Sequence, residues 1–303
     1  MKHSPTVSII MNCFNSGKHL KEAINSVFSQ SYSNWEIIFW DNLSTDNSAL
    51  IANGYDKRLR YFLATKHTEL GVARNLALRK ARGKYIGFLD CDDLFLKDKL
   101  CSQIDFMESN NYVMTYGSTI IIDEMGRELR KRNTRLKSGD IFGQLLKHYE
   151  ISMQTVMIER SLLIAENLSF DTSLKYSPDY NLFMKIASKY PIGVMKGAIG
   201  KYRLVQNSLS HRSLSIAGQE MKFTLDFIFE SSEHLRNKYS DEFQASYDKC
   251  HYYDAVAHLV NKDREKAHKE LYTIKGARYE YLILYLLIRL FFPITIILKI
   301  LGR

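Results

Sequence analysis

No feature constrains the fold of this chain more than the alternation, in its first hundred residues, of short apolar runs with longer amphipathic ones. "TVSIIMNCF" (Thr6–Phe14), "WEIIFWDN" (Trp35–Asn42), "LRYFLA" (Leu59–Ala64) and "KYIGFLD" (Lys84–Asp90) are brief, apolar and β-rich, as strands are. Helical spacing fills the gaps. Leu20, Ala23, Ile24, Val27 and Phe28 share one face of "NSGKHLKEAINSVFSQSY", with Asn15 or Ser16 as N-cap, and Ser44 or Thr45 is placed to cap a short helix in "LSTDNSALIANGY". "GVARNLALRKARG" aligns Val72, Leu76, Ala77 and Ala81 and stops at Gly83, a residue suited to a left-handed cap. "LKDKLCSQIDFMESNN" sets Leu96, Leu100, Ile104 and Met107 on one side. Strands separated by helices need crossover connections, so the spacing predicts a mainly parallel sheet. Ligands of such sheets sit outside the carboxyl ends of the strands. Asn12 to Asn15, Asp41 with Asn42, and Asp90 to Asp93 all fall at those ends, so three polar clusters are expected on one rim.

The third cluster poses a charge problem. "KYIGFLDCDD" closes an apolar strand with Asp90, Asp92 and Asp93, and like charges so close repel. A hard divalent cation, Mn2+ or Mg2+, relieves this through carboxylate oxygens and keeps positions for water and substrate phosphate. The competing reading opens the next helix with Asp92 and Asp93, where acids meet the helix dipole favourably. It leaves Asp90, read as still on the strand, unexplained. Neither a GxGxxG turn nor a GxxxxGK[ST] loop occurs, which argues against a dehydrogenase-type or P-loop nucleotide site. A nucleotide held here needs a stacking aromatic, an acceptor for the base edge and a metal on the diphosphate. Phe14, Asp41 with Asn42, and Asp90 with Asp92 are the candidates, although Phe14 taken alone reads as core.

"YVMTYGSTIIID" (Tyr112–Asp123) reads as one or two strands, followed by six Lys or Arg in "GRELRKRNTRLK" (Gly126–Lys137). The net charge of +9 points to an anionic partner, but no nucleic-acid-binding signature accompanies the basic run, which also reads as a solvated hairpin or loop. A helix, a strand and a second helix are expected from "GDIFGQLLKHYEISMQTVMIERSLL", and a further helix in "YSPDYNLFMKIASKY", with Asp179 near its start. No Pro- or Gly-rich linker interrupts this region, so residues 1–213 are read as one domain with halves 1–110 and 111–213. From 214 to 303 the pattern is helical. Its tail, 279–303, contains the eighteen-residue run Tyr281–Leu298, interrupted by Arg289 and Pro293. An arginine mid-bilayer is costly, so the expectation is a kinked helix pair in the membrane interface, with a buried C-terminal helix as the alternative. Four dispersed cysteines and no apolar leader read as a reduced, cytosolic protein at the inner face of the membrane.

"VSIIMNCFNSGKHLKEAINSVFSQSYSNWEIIFWDNLSTDNS" and "GVARNLALRKARGKYIGFLDCDD", with "MQTVMIERSLL" and "YSPDYNLFMKIA", resemble the bacterial family 2 glycosyltransferases. The resemblance implies an α/β fold of GT-A type, a Rossmann-like, mainly parallel sheet, here with a C-terminal helical extension. It implies an inverting transfer of a sugar from a nucleotide-sugar donor, UDP-linked by preference, to a glycan hydroxyl. The acceptor would sit on a lipid carrier, in lipopolysaccharide or capsule synthesis. Carried over by position, Phe14 stacks on the base, and Asp41 and Asn42 contact the base edge and ribose, with Asn42 in place of an acid and Leu43 in place of a glycine. Asn12 lies beside the donor, and Arg74 meets phosphate. Asp92 binds Mn2+ or Mg2+ directly, Asp90 touches ribose or a metal-bound water, and Asp179 is the catalytic base. His211 is a candidate for the diphosphate. Asn42, Leu43 and Pro178 depart from the family pattern and leave open a catalytically idle nucleotide-sugar or membrane-binding homologue.

Overall fold

A computed structural model describes residues 4–205 and 214–300. Contacts divide the chain into two units, residues 1–141 with 150–206, and residues 142–149 with 207–303. The first unit carries the strands. β1 (Val7–Cys13), β2 (Trp35–Asp41), β3 (Leu59–Leu63) and β4 (Tyr85–Phe88) alternate with α1 (Gly17–Phe28), α2 (Ser48–Asn53) and α3 (Leu70–Leu78). Then come β5 (Leu94–Phe95), α4 (Lys99–Asn110), β6 (Met114–Ile122), β7 (Glu128–Arg132), β8 (Met157–Glu159), α6 (Arg160–Ala165), α7 (Pro178–Ala187) and β9 (Gly193–Arg203); α5 (Phe142–Lys147) belongs to the second unit. The sheet runs β3-β2-β1-β4-β8-β6-β9-β5, with β7 pairing with β6 at its side.

The first four strands are mutually parallel, as the crossovers require. Their register aligns Cys13 with Asp41 and Ile10 with Phe88, so the carboxyl ends of β1, β2 and β4 finish close together. Alternation decides the two faces. Val7, Ile9, Met11, Ile37 and Phe39 point into one core, shared with Leu20, Ile24 and Val27 of α1 and Leu100 and Ile104 of α4. Each fully buried aliphatic or aromatic side chain of this kind contributes about 1.5–3 kcal/mol relative to exposure. Phe88 faces the other way, edge-on to Phe170 and near Phe183 of α7. The basic run forms a hairpin, β7 pairing antiparallel with β6 and fully exposed.

Several local expectations are corrected. Ser16 sits at the N-cap of α1 without a capping bond; Asp46 instead accepts from the Gly17 N–H at 2.9 Å. Asn47, rather than Ser44 or Thr45, precedes α2, because Ser44 and Thr45 bond to Asn15. α3 ends at Leu78, and Gly83 is not its cap: a Cβ at Gly83 would lie 2.5 Å from the Ser8 nitrogen, so the glycine permits close approach to β1. β4 stops at Phe88, which places Asp90 beyond the strand. Asp92 and Asp93 do not open a helix either, since β5 intervenes and α4 begins only at Lys99. The sequence reading also keeps 142–149 with the sheet, whereas its contacts place it in the second unit.

In the second unit, α8 (Leu214–Ser231) packs on α10 (Ser240–Val260), with α9 (Glu233–Lys238) between them in sequence. Gly218 lets the pair approach: a Cβ there would meet the Cys250 carbonyl at 2.7 Å. α11 (Arg264–Ile274), α12 (Tyr279–Arg289) and α13 (Ile294–Ile300) complete it around Ala255, Leu259, Leu271, Tyr281, Leu284, Tyr285 and Ile288. No helix among the described residues is long and apolar enough to cross a membrane.

Candidate active site

The acid cluster lies in the turn between β4 and β5, and each acid has a different environment. Asp93 is buried and accepts from the Arg203 backbone N–H at 2.9 Å, so it faces the protein. Asp92 is pushed up from 3.8 to about 6 by burial and by the charge of Asp90, with its own backbone N–H and Arg203 opposing. Asp90 is half-exposed and meets the buried Arg74 guanidinium at 3.3 Å. Two carboxylates are thus held together, one of them inadequately solvated, which is a donor set suited to a hard cation. Among the described residues no third acidic, histidine or cysteine side chain joins them, so the remaining ligands of a bound Mn2+ or Mg2+ would be water and substrate oxygens.

Arg203 shapes this turn. Its side chain is wholly buried at the end of β9; Nε donates to the Asp92 carbonyl at 2.9 Å. The two terminal nitrogens reach the Asp123 and Glu124 carbonyls and the Glu22 carboxylate. One guanidinium therefore ties the acid turn to the β6–β7 turn and to α1. Arg203→Met should orphan these acceptors and lower the unfolding free energy by about 3 kcal/mol in urea titrations. It should also weaken Mn2+ uptake measured calorimetrically; an unchanged urea midpoint would show that the bonds contribute nothing.

α3 joins the acid turn to α7. Arg74 reaches Asp90, while the next residue, Asn75, makes a two-point contact with Phe170, donating to its carbonyl at 2.8 Å and accepting from its N–H at 3.0 Å. Gly71 allows this packing, since a Cβ would lie 3.0 Å from the Asp171 carbonyl oxygen. Asp179 follows in the first turn of α7, with Pro178 at the position where a missing N–H is harmless. Burial raises its carboxyl above the ordinary range, Asp90 adds to the shift, and the Arg74 charge opposes it. Asp90, Arg74 and Asp179, far apart in sequence, thus act on one another electrostatically.

The ends of β1 and β2 form the other half of the rim. Phe14 is half-exposed, its ring 4.2 Å from that of His67. Asn42 holds the loop carrying His67: its Nδ2 donates to the Thr68 carbonyl at 2.7 Å, and its Oδ1 accepts from the Thr68 N–H and hydroxyl. Asp41 is fully buried and accepts from Ser44 N–H and Tyr61 OH, both at 2.7 Å. Leu43 adopts φ +68°, the left-handed conformation that a glycine takes freely and a leucine only with strain. The Asn12 side-chain amide nitrogen is buried with no protein partner, and the Asn12 backbone carbonyl accepts from Cys91 Sγ at 3.3 Å. His211 lies outside the described residues.

Residues 8–163 match the family model "Glycosyl transferase family 2". The chain belongs to that family. Among curated relatives, this family 2 member is 31% identical over 228 residues to the Escherichia coli UDP-Glc:alpha-D-GlcNAc-diphosphoundecaprenol beta-1,3-glucosyltransferase WfgD, covering 73% of this chain and 86% of WfgD. Against uncharacterized glycosyltransferases of Rickettsia the chain spans about a third of their length (33%). Two solved structures share the fold. Staphylococcus aureus TarS 1–349 in complex with UDP-GlcNAc superposes with a TM-score of 0.63 at 18% identity, over 88% of this chain and 89% of that one. The mannosyltransferase PcManGT from Pyrobaculum calidifontis, in complex with GDP-Man and Mn2+, gives 0.64 at 16% identity, over 97% and 83%. The family 2 member thus has the GT-A fold, an α/β unit followed by a helical region.

Two rim residues escape a reading of the sequence alone. His67 sits in the loop leaving β3, where the carboxyl-end rule already directs attention, but a histidine among polar residues gives no further signal. Arg203 bonds across more than a hundred positions to the acid turn, and no local pattern announces such a contact.

Proposed function

We propose that this family 2 member is an inverting glycosyltransferase that moves a sugar from a nucleotide-sugar donor, with UDP favoured, to a hydroxyl of a glycan acceptor. The observation that carries this reading is the convergence of Asp90, Asp92, Arg74 and Asp179 on one rim, through the acid turn, α3 and α7. Phe14 and His67 supply aromatic faces for the base, and Asn42 fixes the loop that bears one of them. Asp179, made more basic by burial, accepts the proton of the attacking acceptor hydroxyl. Arg74 orients Asp90 and places positive charge near the donor. Asp92 and Asp90 would hold Mn2+ or Mg2+, which stabilises the negative charge gathering on the departing nucleoside diphosphate. His211 remains a candidate for that diphosphate.

The acceptor is proposed to be carried on a lipid in bacterial envelope polysaccharide synthesis, lipopolysaccharide or capsule, at the cytoplasmic face of the membrane. The diphosphoundecaprenol acceptor in the name of WfgD supports this, as the UDP-GlcNAc bound to TarS and the GDP-Man bound to PcManGT support a nucleotide sugar. A panel of nucleotide sugars, incubated with Mn2+ and screened by thermal shift and by nucleoside diphosphate release, tests the proposal. A midpoint rise with one class of donor, together with release on adding acceptor glycans, is expected. No stabilisation by any donor would overturn it.

A further inference from the structure

We propose that the outer face of α12 and the turn after it dock in the plane of an anionic lipid bilayer. The inference deepens the reading of a lipid-carried acceptor and rests on it only for its purpose. α12 is apolar on two opposite sides. Tyr281, Leu284, Tyr285 and Ile288 are buried against the other helices of the second unit. Tyr279, Leu282, Ile283, Leu286 and Leu290 recur at i, i+3, i+4, i+7 and i+11 on the other side, and all are exposed. A surface helix of a globular protein normally turns charged and polar residues outward. Here Phe291, Phe292 and Ile296 extend the apolar surface around the turn into α13, and Phe291 is 79% exposed. A contiguous patch of this kind marks a contact surface.

The turn is built rather than frayed. Phe291 stands at φ +58°, and the Phe292 N–H closes on the Leu287 carbonyl at 3.1 Å. Arg264 donates to the carbonyls of Ile288 and Phe292 from α11. Glycine would occupy the left-handed position without strain, so the fold retains a strained phenylalanine whose ring, beside the Arg264 guanidinium, is largely exposed. Charge identifies the occupant. From residue 275 onward the sequence carries Lys275, Arg278, Arg289, Lys299 and Arg303 against one acid, Glu280. This excess of cations in the sequence flanking exposed aromatic and aliphatic side chains fits acidic headgroups above an acyl boundary. No helix among the described residues is long and apolar enough to cross a membrane, so the proposed contact lies along the surface.

Flotation of the full chain with vesicles tests the proposal. Binding is expected to vesicles of phosphatidylglycerol with phosphatidylcholine, and to fall on the order of tenfold with phosphatidylcholine alone or with the triple variant Ile283→Glu, Leu286→Glu, Phe291→Glu. A second variant, Lys275→Gln with Arg278→Gln and Arg289→Gln, keeps the apolar face and should lose the preference for the acidic lipid. Circular dichroism establishes folding of both. Donor-induced thermal shift in the absence of vesicles should be unchanged, so failure of the surface and failure of the glycosyltransferase reading register separately. Vesicle binding unaffected by either variant would overturn the proposal. So would a dimer in sedimentation that the triple variant dissolves, since a second copy would then cover the face.

Discussion

Asp179→Asn will fold as the parent does and lose about 10² to 10⁴ of its turnover, the usual worth of a positioned general base. The asparagine keeps the shape and cannot accept the acceptor proton. Its carboxyl already sits above the ordinary range because burial disfavours the charge. Removing that charge should therefore leave stability equal or slightly higher. The measurement is steady-state nucleoside diphosphate release at saturating acceptor, with donor affinity followed by thermal shift. A fall in kcat with donor binding intact identifies an interaction made in the transition state. If instead stability drops by about 0.3–1 kcal/mol and turnover survives, Asp179 is only an acid at the start of a helix.

Asp92→Asn will separate stability from function. In the native state the Asp92 carboxyl titrates at about 6 against 3.8 unperturbed. A raised carboxyl binds protons more tightly in the folded chain, so stability falls as pH rises from about 4 through 6. Above that the penalty is complete, amounting to about 3 kcal/mol at 1.36 kcal/mol per unit. Asparagine carries no charge and removes it. Metal-free D92N should then unfold at higher urea than the parent at pH 7.5, and the two should converge near pH 4. The same substitution should abolish the Mn2+-induced rise in melting temperature and reduce turnover by roughly a hundredfold or more, the several kcal/mol that a metal supplies to a developing oxyanion. Equal metal responses in both proteins would remove Asp92 from the metal site.

Much of the architecture is legible because it follows periodicity. Val7, Ile9 and Met11 alternate, Leu20, Ile24 and Val27 recur at helical spacing, and the carboxyl-end rule then assembles Phe14, Asn42 and Asp90 on one rim. Illegible features depend on groups distant in sequence. The α1 cap comes from Asp46, not from the adjacent Ser16. Gly83 answers to the proximity of Ser8, a contact invisible until β1 and β4 pair. β5 has two residues and exists only because β9 returns beside it. The segment 142–149 reads as continuous with its neighbours, yet its apolar side chains find partners in the second unit, as Phe142 does against Phe243. At the site, the resemblance names Arg74 and Asp179, but the Asn75–Phe170 clamp that connects them emerges only in three dimensions.

The placement of Arg203 bears on how this family 2 member can be divided. Asp41, Asp90, Asp92 and Asp93 are all synthesised before residue 94, and the family match closes at 163, forty residues short of the arginine that closes the acid turn. A fragment trimmed to the matched region would keep Asp90 and Asp92 in its chemistry but not in their shape. Biochemical dissection, and any grafting of the half that carries the acid turn onto another scaffold, has to carry the strand that ends at Arg203.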